Sequence, residues 1–166
     1  MQHQRAFTLV ELCIVLVLLA ILAQVALPSM QDFIERNQQQ ALYNQIARAV
    51  QNARTYAVTH RVRVELCGSG DGLSCDHDWA QGWLLRESSQ LTPVSVTQLN
   101  TEQRRLQWSG FQSSIKFHSN GISPMGNGRF YSCYKQEISW QLILNRQGRL
   151  RTASTTENVA ELARCN

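Results

Sequence analysis

The stretch Ala6–Leu27, AFTLVELCIVLVLLAILAQVAL, decides the reading of this chain. From Phe7 to Leu27 run 21 residues interrupted by only three polar ones, Thr8, Glu11 and Gln24. That is long enough for a helix to cross a bilayer. Only six residues precede it, with Arg5 as their one fixed cation. A secretory signal also joins a basic start to an apolar middle, but it closes with a small-x-small cleavage pair. None lies between Ala20 and Met30, and the helical pattern continues past it.

Glu11 is the odd residue. A carboxylate inside a membrane span costs roughly 2.5–3.5 kcal/mol or more unless it is paired. An amine made by cutting the chain before Phe7 would lie one helical turn away, since positions four apart share a face. A subunit joining an assembly would then pair its amine with a neighbour's Glu11. A partly exposed Glu at the membrane interface needs no such partner.

Ala6-Phe7-Thr8-Leu9-Val10-Glu11 followed by an apolar run resembles the class III signal of type IV pilins and type II secretion pseudopilins. The resemblance implies cleavage between Ala6 and Phe7 by a prepilin peptidase, methylation of the Phe7 amine, and recruitment into a filament through Glu11. The family usually has Gly before the cut, where this chain has Ala6.

Without this anchor about 135 residues are left, enough for one modest domain. Net charge is +4. Between Arg104 and Arg151 stand eight basic residues against Glu137 alone, whereas Glu65–Glu87 holds five acids and one base, Arg86, with Glu102 at its boundary. Such asymmetry points to a directed field, although chance clustering on a solvated surface accounts for it too.

Of five cysteines, Cys13 lies in the apolar span as a small apolar residue. Cys67, Cys75, Cys133 and Cys165 are an even set, the usual mark of two disulfides in an exported domain. Four cysteines permit three pairings, and sequence does not choose among them. The favoured expectation is Cys67–Cys75 across a Gly-rich loop and Cys133–Cys165 fastening the C-terminus. A zinc site using Cys67, Cys75 and His77 lacks a fourth ligand at suitable spacing.

Pro28 removes one helical hydrogen bond and predicts a kink. Beyond it, Met30 to about His60 reads as continuing helix. Leu42, Ile46, Ala49, Val50, Ala53 and Ala57 form a narrow stripe suited to packing on a sheet. Gln38, Gln39, Gln40, Asn44, Gln45 and Gln51 are expected on solvated or subunit-facing surface.

The period then changes. Arg61–Leu66 alternates as a half-buried strand, and Asp78–Arg86 reads as the next. Ser88–Arg105 reads as a loop or short edge strand. Leu106–Ser109, Ser114–His118, Arg129–Tyr134 and Ile138–Leu144 are further strands. Asn145-Arg146-Gln147-Gly148 is a tight turn into Arg149–Ala153. The last dozen residues read as irregular. The expected organisation is a leader (1–6), a membrane helix (7–29), its amphipathic continuation (30–60) and a β-domain (61–166). The fold class is α+β, a long helix packed on an antiparallel β-sheet domain.

Cys67-Gly-Ser-Gly-Asp-Gly-Leu-Ser-Cys75, Trp79-Ala-Gln-Gly-Trp83 and Asn145-Arg-Gln-Gly-Arg-Leu-Arg151 resemble the GspH/FimT/FimU-type minor pilins. Strand alternation turns Arg149 and Arg151 to one side and Leu150 to the core, and Gly148 allows Arg146 to return beside them. Planar guanidiniums suit phosphate oxygens. In FimT-like pilins the Gly-Arg-x-Arg element implies DNA binding during natural transformation. The matching positions are Arg149 and Arg151, with Arg146 alongside. Lys116, Arg129 and Lys135 extend the footprint on charge alone. An Arg-rich hairpin facing acidic neighbours in a filament tip is the competing reading.

Catalytic constellations are absent from the sequence. There is no Gly-x-Ser-x-Gly, Gly68–Gly72 lacks the Lys and Ser/Thr of a phosphate loop, and His3, His60, His77 and His118 are isolated. The expectation is a non-enzymatic, cofactor-free and metal-free minor pilin. Its partners would be other pilins, the prepilin peptidase, the inner membrane and DNA. It would be single-pass, with a periplasmic C-terminal domain that reaches the pilus tip after assembly. The alternative is a structural minor pilin or secretion pseudopilin that primes filament assembly.

Overall fold

The computed structural model describes residues 9–90, 92–100 and 105–165. The chain divides into two units, residues 1–38 and 39–166. One helix, α1, runs from Leu9 to His60 and remains helical through Pro28. In its first part every large apolar side chain described from Leu9 to Leu22 is exposed. The helix is long and apolar enough there to cross a membrane. Further along, Leu42, Ile46, Val50, Ala53 and Ala57 of the expected stripe are buried, and Ala49 is half-buried against the same core. Gln39 is buried as well, contrary to its expected place on the surface, because it falls one turn before that stripe.

Arg61 adopts left-handed backbone (φ 57°), and Val62 N–H donates to Ala57 O at 3.2 Å. That arrangement closes the helix by capping its last carbonyls. The chain then enters eight strands: β1 (Val64–Gly68), β2 (Gly82–Glu87), β3 (Pro93–Gln98), β4 (Leu106–Gly110), β5 (Ser114–Phe117), β6 (Gly128–Tyr134), β7 (Glu137–Leu144) and β8 (Leu150–Thr152). They form two four-stranded sheets in the orders β3-β2-β1-β5 and β4-β6-β7-β8. Every pairing is antiparallel.

The stripe of α1 packs in one core with Val64, Leu66, Trp83 and Phe117 of the first sheet and Phe130, Leu142 and Leu144 of the second. Trp79 and Trp108 flank Phe130, with ring centroids 4.9 and 4.5 Å away. Their indole N–H groups donate to Ser113 O and Gln112 O, so both large rings pack inward without stranding a donor.

Several strand expectations need correction. β1 begins at Val64 because Arg61 belongs to the helix cap, and it is buried on both faces instead of half-buried. The reason is Glu65, whose outward carboxylate is covered by Arg86 and Lys116. β2 starts at Gly82, so Trp79 reaches the core from the preceding turn. The reading of residues 88–105 as a loop or short edge strand needs no correction, since β3 lies there at the edge of its sheet.

The C-terminal residues are not irregular. Ser154 caps a helix, α2 (Thr155–Ala160): its hydroxyl accepts from Glu157 N–H, and the Glu157 carboxylate accepts from Ser154 N–H. This reciprocal pair is the capping box. A short 3-10 helix, Leu162–Cys165, follows. Cys67 is bonded to Cys75 and Cys133 to Cys165, the favoured pairing. The first bond consumes both thiols on which a zinc site would depend.

Candidate functional site

The hairpin joining β7 to β8 carries the basic cluster. Gly148 N–H donates to Asn145 O at 3.0 Å, Asn145 N–H to Arg149 O at 3.1 Å, and Arg149 N–H to the Asn145 side chain at 2.9 Å. Gly148 has φ +73°, and a Cβ there would lie 2.6 Å from Gly121 O. Glycine is therefore required twice, by its left-handed backbone and by the close approach. The turn rests against Arg54 of α1, whose Nε donates to that same Gly121 carbonyl at 3.0 Å.

Register defines the outer face of the second sheet. Ser109 pairs with Arg129, Arg129 with Ile143, and Ile143 with Arg151, a row crossing all four strands. α2 covers part of this face. The Gln141 side chain, fully buried, donates to Asn158 Oδ1 at 3.0 Å and accepts from Arg129 at 3.1 Å.

The expected cluster is thus divided. Arg151 donates through Nη1 and Nη2 to the two Glu157 oxygens, at 2.9 and 2.7 Å. Arg129 pairs with Glu161 at 2.8 Å, and Arg164 shares that carboxylate at 2.5 Å. Arg146 turns toward Asn127, with Nε 3.4 Å from Oδ1. It lines a shallow cavity of about 530 Å3 together with Arg129, Arg164, Ser109 and Phe111. Arg149 is exposed, and its guanidinium makes no ion pair among the described residues. Arg146, Arg149, Arg151, Arg129 and Arg164 face only Glu157 and Glu161 in these pairings, leaving an excess of three positive charges.

These acids respond to the guanidiniums. The Arg151 fork, followed by Ser154 N–H, holds the Glu157 carboxyl down at about 2. Arg164 first, and Arg129 after it, lower Glu161. Both acids lie beyond Arg151 in sequence, outside the basic stretch that ends there. The capping-box spacing Ser154-x-x-Glu157 is the sequence signal for α2 and for where Glu157 points.

Lys116 lies apart from this face. It belongs to β5 in the first sheet, opposite Glu65, with Nζ 3.5 Å from Glu65 Oε1. Lys135 stands over the Tyr134 ring at 5.1 Å. Glu11 is exposed in the first turn of α1. Ala6 and Phe7, the cleavage and methylation positions, lie outside the described residues.

Residues 43–148 match the family model described as Type II transport protein GspH, and residues 1–24 match the prokaryotic N-terminal methylation motif. Crystal structures of the type IV minor pilin FimU from Pseudomonas aeruginosa share the fold. One superposes with a TM-score of 0.56 at 20% identity over 75% of this chain and 94% of that one; a second crystal form gives 0.54 at 19% over 70% and 94%. Fimbrial protein EcpC of Eikenella corrodens is 46% identical over 43 residues, 26% of this chain and 28% of that protein. Fimbrial protein Q of Moraxella bovis is 43% identical over 47 residues, 28% of this chain and 30% of that protein. The match spans less than a third of either fimbrial relative. This chain belongs to the GspH family, as a minor pilin or pseudopilin with the α+β pilin fold.

Proposed function

We propose that the chain is a minor pilin whose helix α1 serves first as an inner-membrane anchor and then as the filament core. Prepilin peptidase removes residues 1–6, the Phe7 amine is methylated, and Glu11 pairs with the amine of a neighbouring subunit. Residues 61–166 form a periplasmic domain that is carried to the pilus tip. The observation that supports this most strongly is α1 itself, apolar and exposed along its first part and buried beneath the sheets along its second. A soluble domain gains nothing from an apolar surface of that size, whereas lipid or neighbouring helices cover it. Glu11→Ala should leave cleavage intact and deplete the subunit from sheared filaments. Normal incorporation would remove the pairing role.

At the tip, Arg146 and Arg149 contact DNA through its phosphates, with Arg151 joining when Glu157 yields it. Such contact is blind to sequence and weakens steeply with salt, because guanidiniums that meet backbone phosphates read no base edges and displace counterions. Full-length protein in a neutral detergent should retard duplex DNA, and Arg149→Gln should weaken that at least several-fold. A second reading, a scaffold subunit that touches only other pilins or a secretion pseudopilin, draws support from the Arg151–Glu157 pairing, since an arginine already neutralised within its own domain needs no external anion. Equal DNA behaviour of wild type and Arg149→Gln would favour that scaffold.

A further inference from the structure

The outer face of the first sheet carries a second basic site. β1 lies between β2 and β5, so Glu65 stands opposite Arg86 on one side and Lys116 on the other. Arg63 precedes Val64, which pairs with Phe117, and so comes opposite His118. With alternate residues on one face, Arg63 and Glu65 share a side, as do Lys116 and His118. Arg63, Arg86, Lys116, His118 and Glu65 line one cavity of about 420 Å3.

Among the described residues that line it, Glu65 is the only acid, and it is fully engaged. It accepts two bonds from Arg86, at 3.1 and 2.7 Å, and one from the Ser114 hydroxyl at 2.7 Å, with Lys116 at 3.5 Å. Burial works to raise this carboxyl, but Ser114, Arg86 and Lys116 together outweigh burial and lower it. Three fixed cations against one carboxylate leave two positive charges in a concave site. Arg63 is exposed, and its side chain has no hydrogen bond or ion pair among the described residues. Like charges gathered in a cleft raise the local concentration of an anion, and a guanidinium without a partner is suited to grip phosphate oxygens.

One turn connects this groove to the hairpin on the second sheet. Lys116 O accepts from the Ser123 hydroxyl at 2.8 Å, while Ser123 N–H donates to Arg146 O at 2.9 Å. Gly121, in the same turn, abuts Gly148. A ligand covering both sites must be a polyanion long enough to pass around that turn, which a free phosphate is not.

We infer that a nucleic acid held at Arg146 and Arg149 continues over residues 118–123 into the groove of Arg63, Lys116 and His118, where its backbone phosphates are bound a second time. The inference rests on the DNA reading given above. Its test is titration of fluorescein-labelled duplex DNA against full-length protein in neutral detergent, at salt from about 50 to 200 mM. Removing one cation that neutralises a phosphate reduces the salt slope by about 0.9. Arg63→Gln should therefore lower the slope by that amount and the affinity by about tenfold, while Arg63→Lys retains most of the slope. Arg63→Gln behaving as wild type while Arg149→Gln weakens binding would overturn the groove and leave the hairpin standing. Absence of DNA binding by the wild type would overturn both. Loss of binding to phosphatidylglycerol vesicles in Arg63→Gln, with DNA binding unchanged, would reassign the groove to the membrane surface and overturn the inference.

Discussion

Arg151 and Glu157 meet fork to fork across the gap between β8 and α2, through two hydrogen bonds of 2.9 and 2.7 Å. The arginine that looks available in sequence is already bound to a carboxylate of its own domain. Both side chains are exposed, so the pair is screened by salt and open to competition from other anions. Arg151→Gln should consequently weaken DNA binding less than Arg149→Gln. Glu157→Gln, by freeing Arg151, should strengthen binding by about twofold or more. The check is the same DNA titration on the three variants. Weaker binding by Glu157→Gln would contradict the arrangement.

The same pair sets a pH dependence. Glu157 is held at about 2 in the folded chain against an ordinary value of 4.5. A depressed carboxyl stabilises the fold fully above its unfolded value and loses that contribution as pH falls through the folded one. The contribution is thus complete above about 4.5 and fades toward about 2. Carboxyl titration followed by NMR should give a Glu157 midpoint near the lower figure, and Arg151→Gln should move it upward. A wild-type midpoint at 4.5 would show that the pair does not form in solution.

Gly148→Ala places a methyl group on left-handed backbone and against the Gly121 carbonyl. Strain at such a position costs about 1–3 kcal/mol. Denaturant unfolding should show a decrease in stability of that size, accompanied by weaker DNA binding as the hairpin moves. A neutral effect would mean that the turn is looser than described.

The two disulfides should differ in weight. On chain entropy, a bond closing a separation of 32 residues contributes about 3.7 kcal/mol and one closing 8 about 2.5. Cys133→Ser with Cys165→Ser should therefore cost about 1 kcal/mol more than Cys67→Ser with Cys75→Ser. It should also release α2 from Gln141 and expose Arg129. Unfolding midpoints of the two double variants decide the order, and the reverse order would contradict it.

The helical part of the fold is open to reading because its causes are local. Leu42, Ile46, Val50, Ala53 and Ala57 recur at helical spacing, and all five are buried. Strands announced by alternation, such as β5 and β7, appear where expected. What stays hidden in the sequence depends on distant partners. Glu65 reads as an outward polar residue, yet two cations from neighbouring strands bury it. Lys116 groups with the hairpin by charge, although β5 belongs to the other sheet. Arg151 gives up its apparent freedom to an acid six residues on, in a helix short enough to pass for an irregular tail.

Cleavage before Phe7 and use of the new amine in assembly are the centre of the proposed function, and intact-mass analysis of protein extracted from cell envelopes tests the first most directly. The mature chain should begin at Phe7 and carry one methyl group on its amine. A chain still bearing residues 1–6, or one cut within or beyond the apolar stretch, would contradict it.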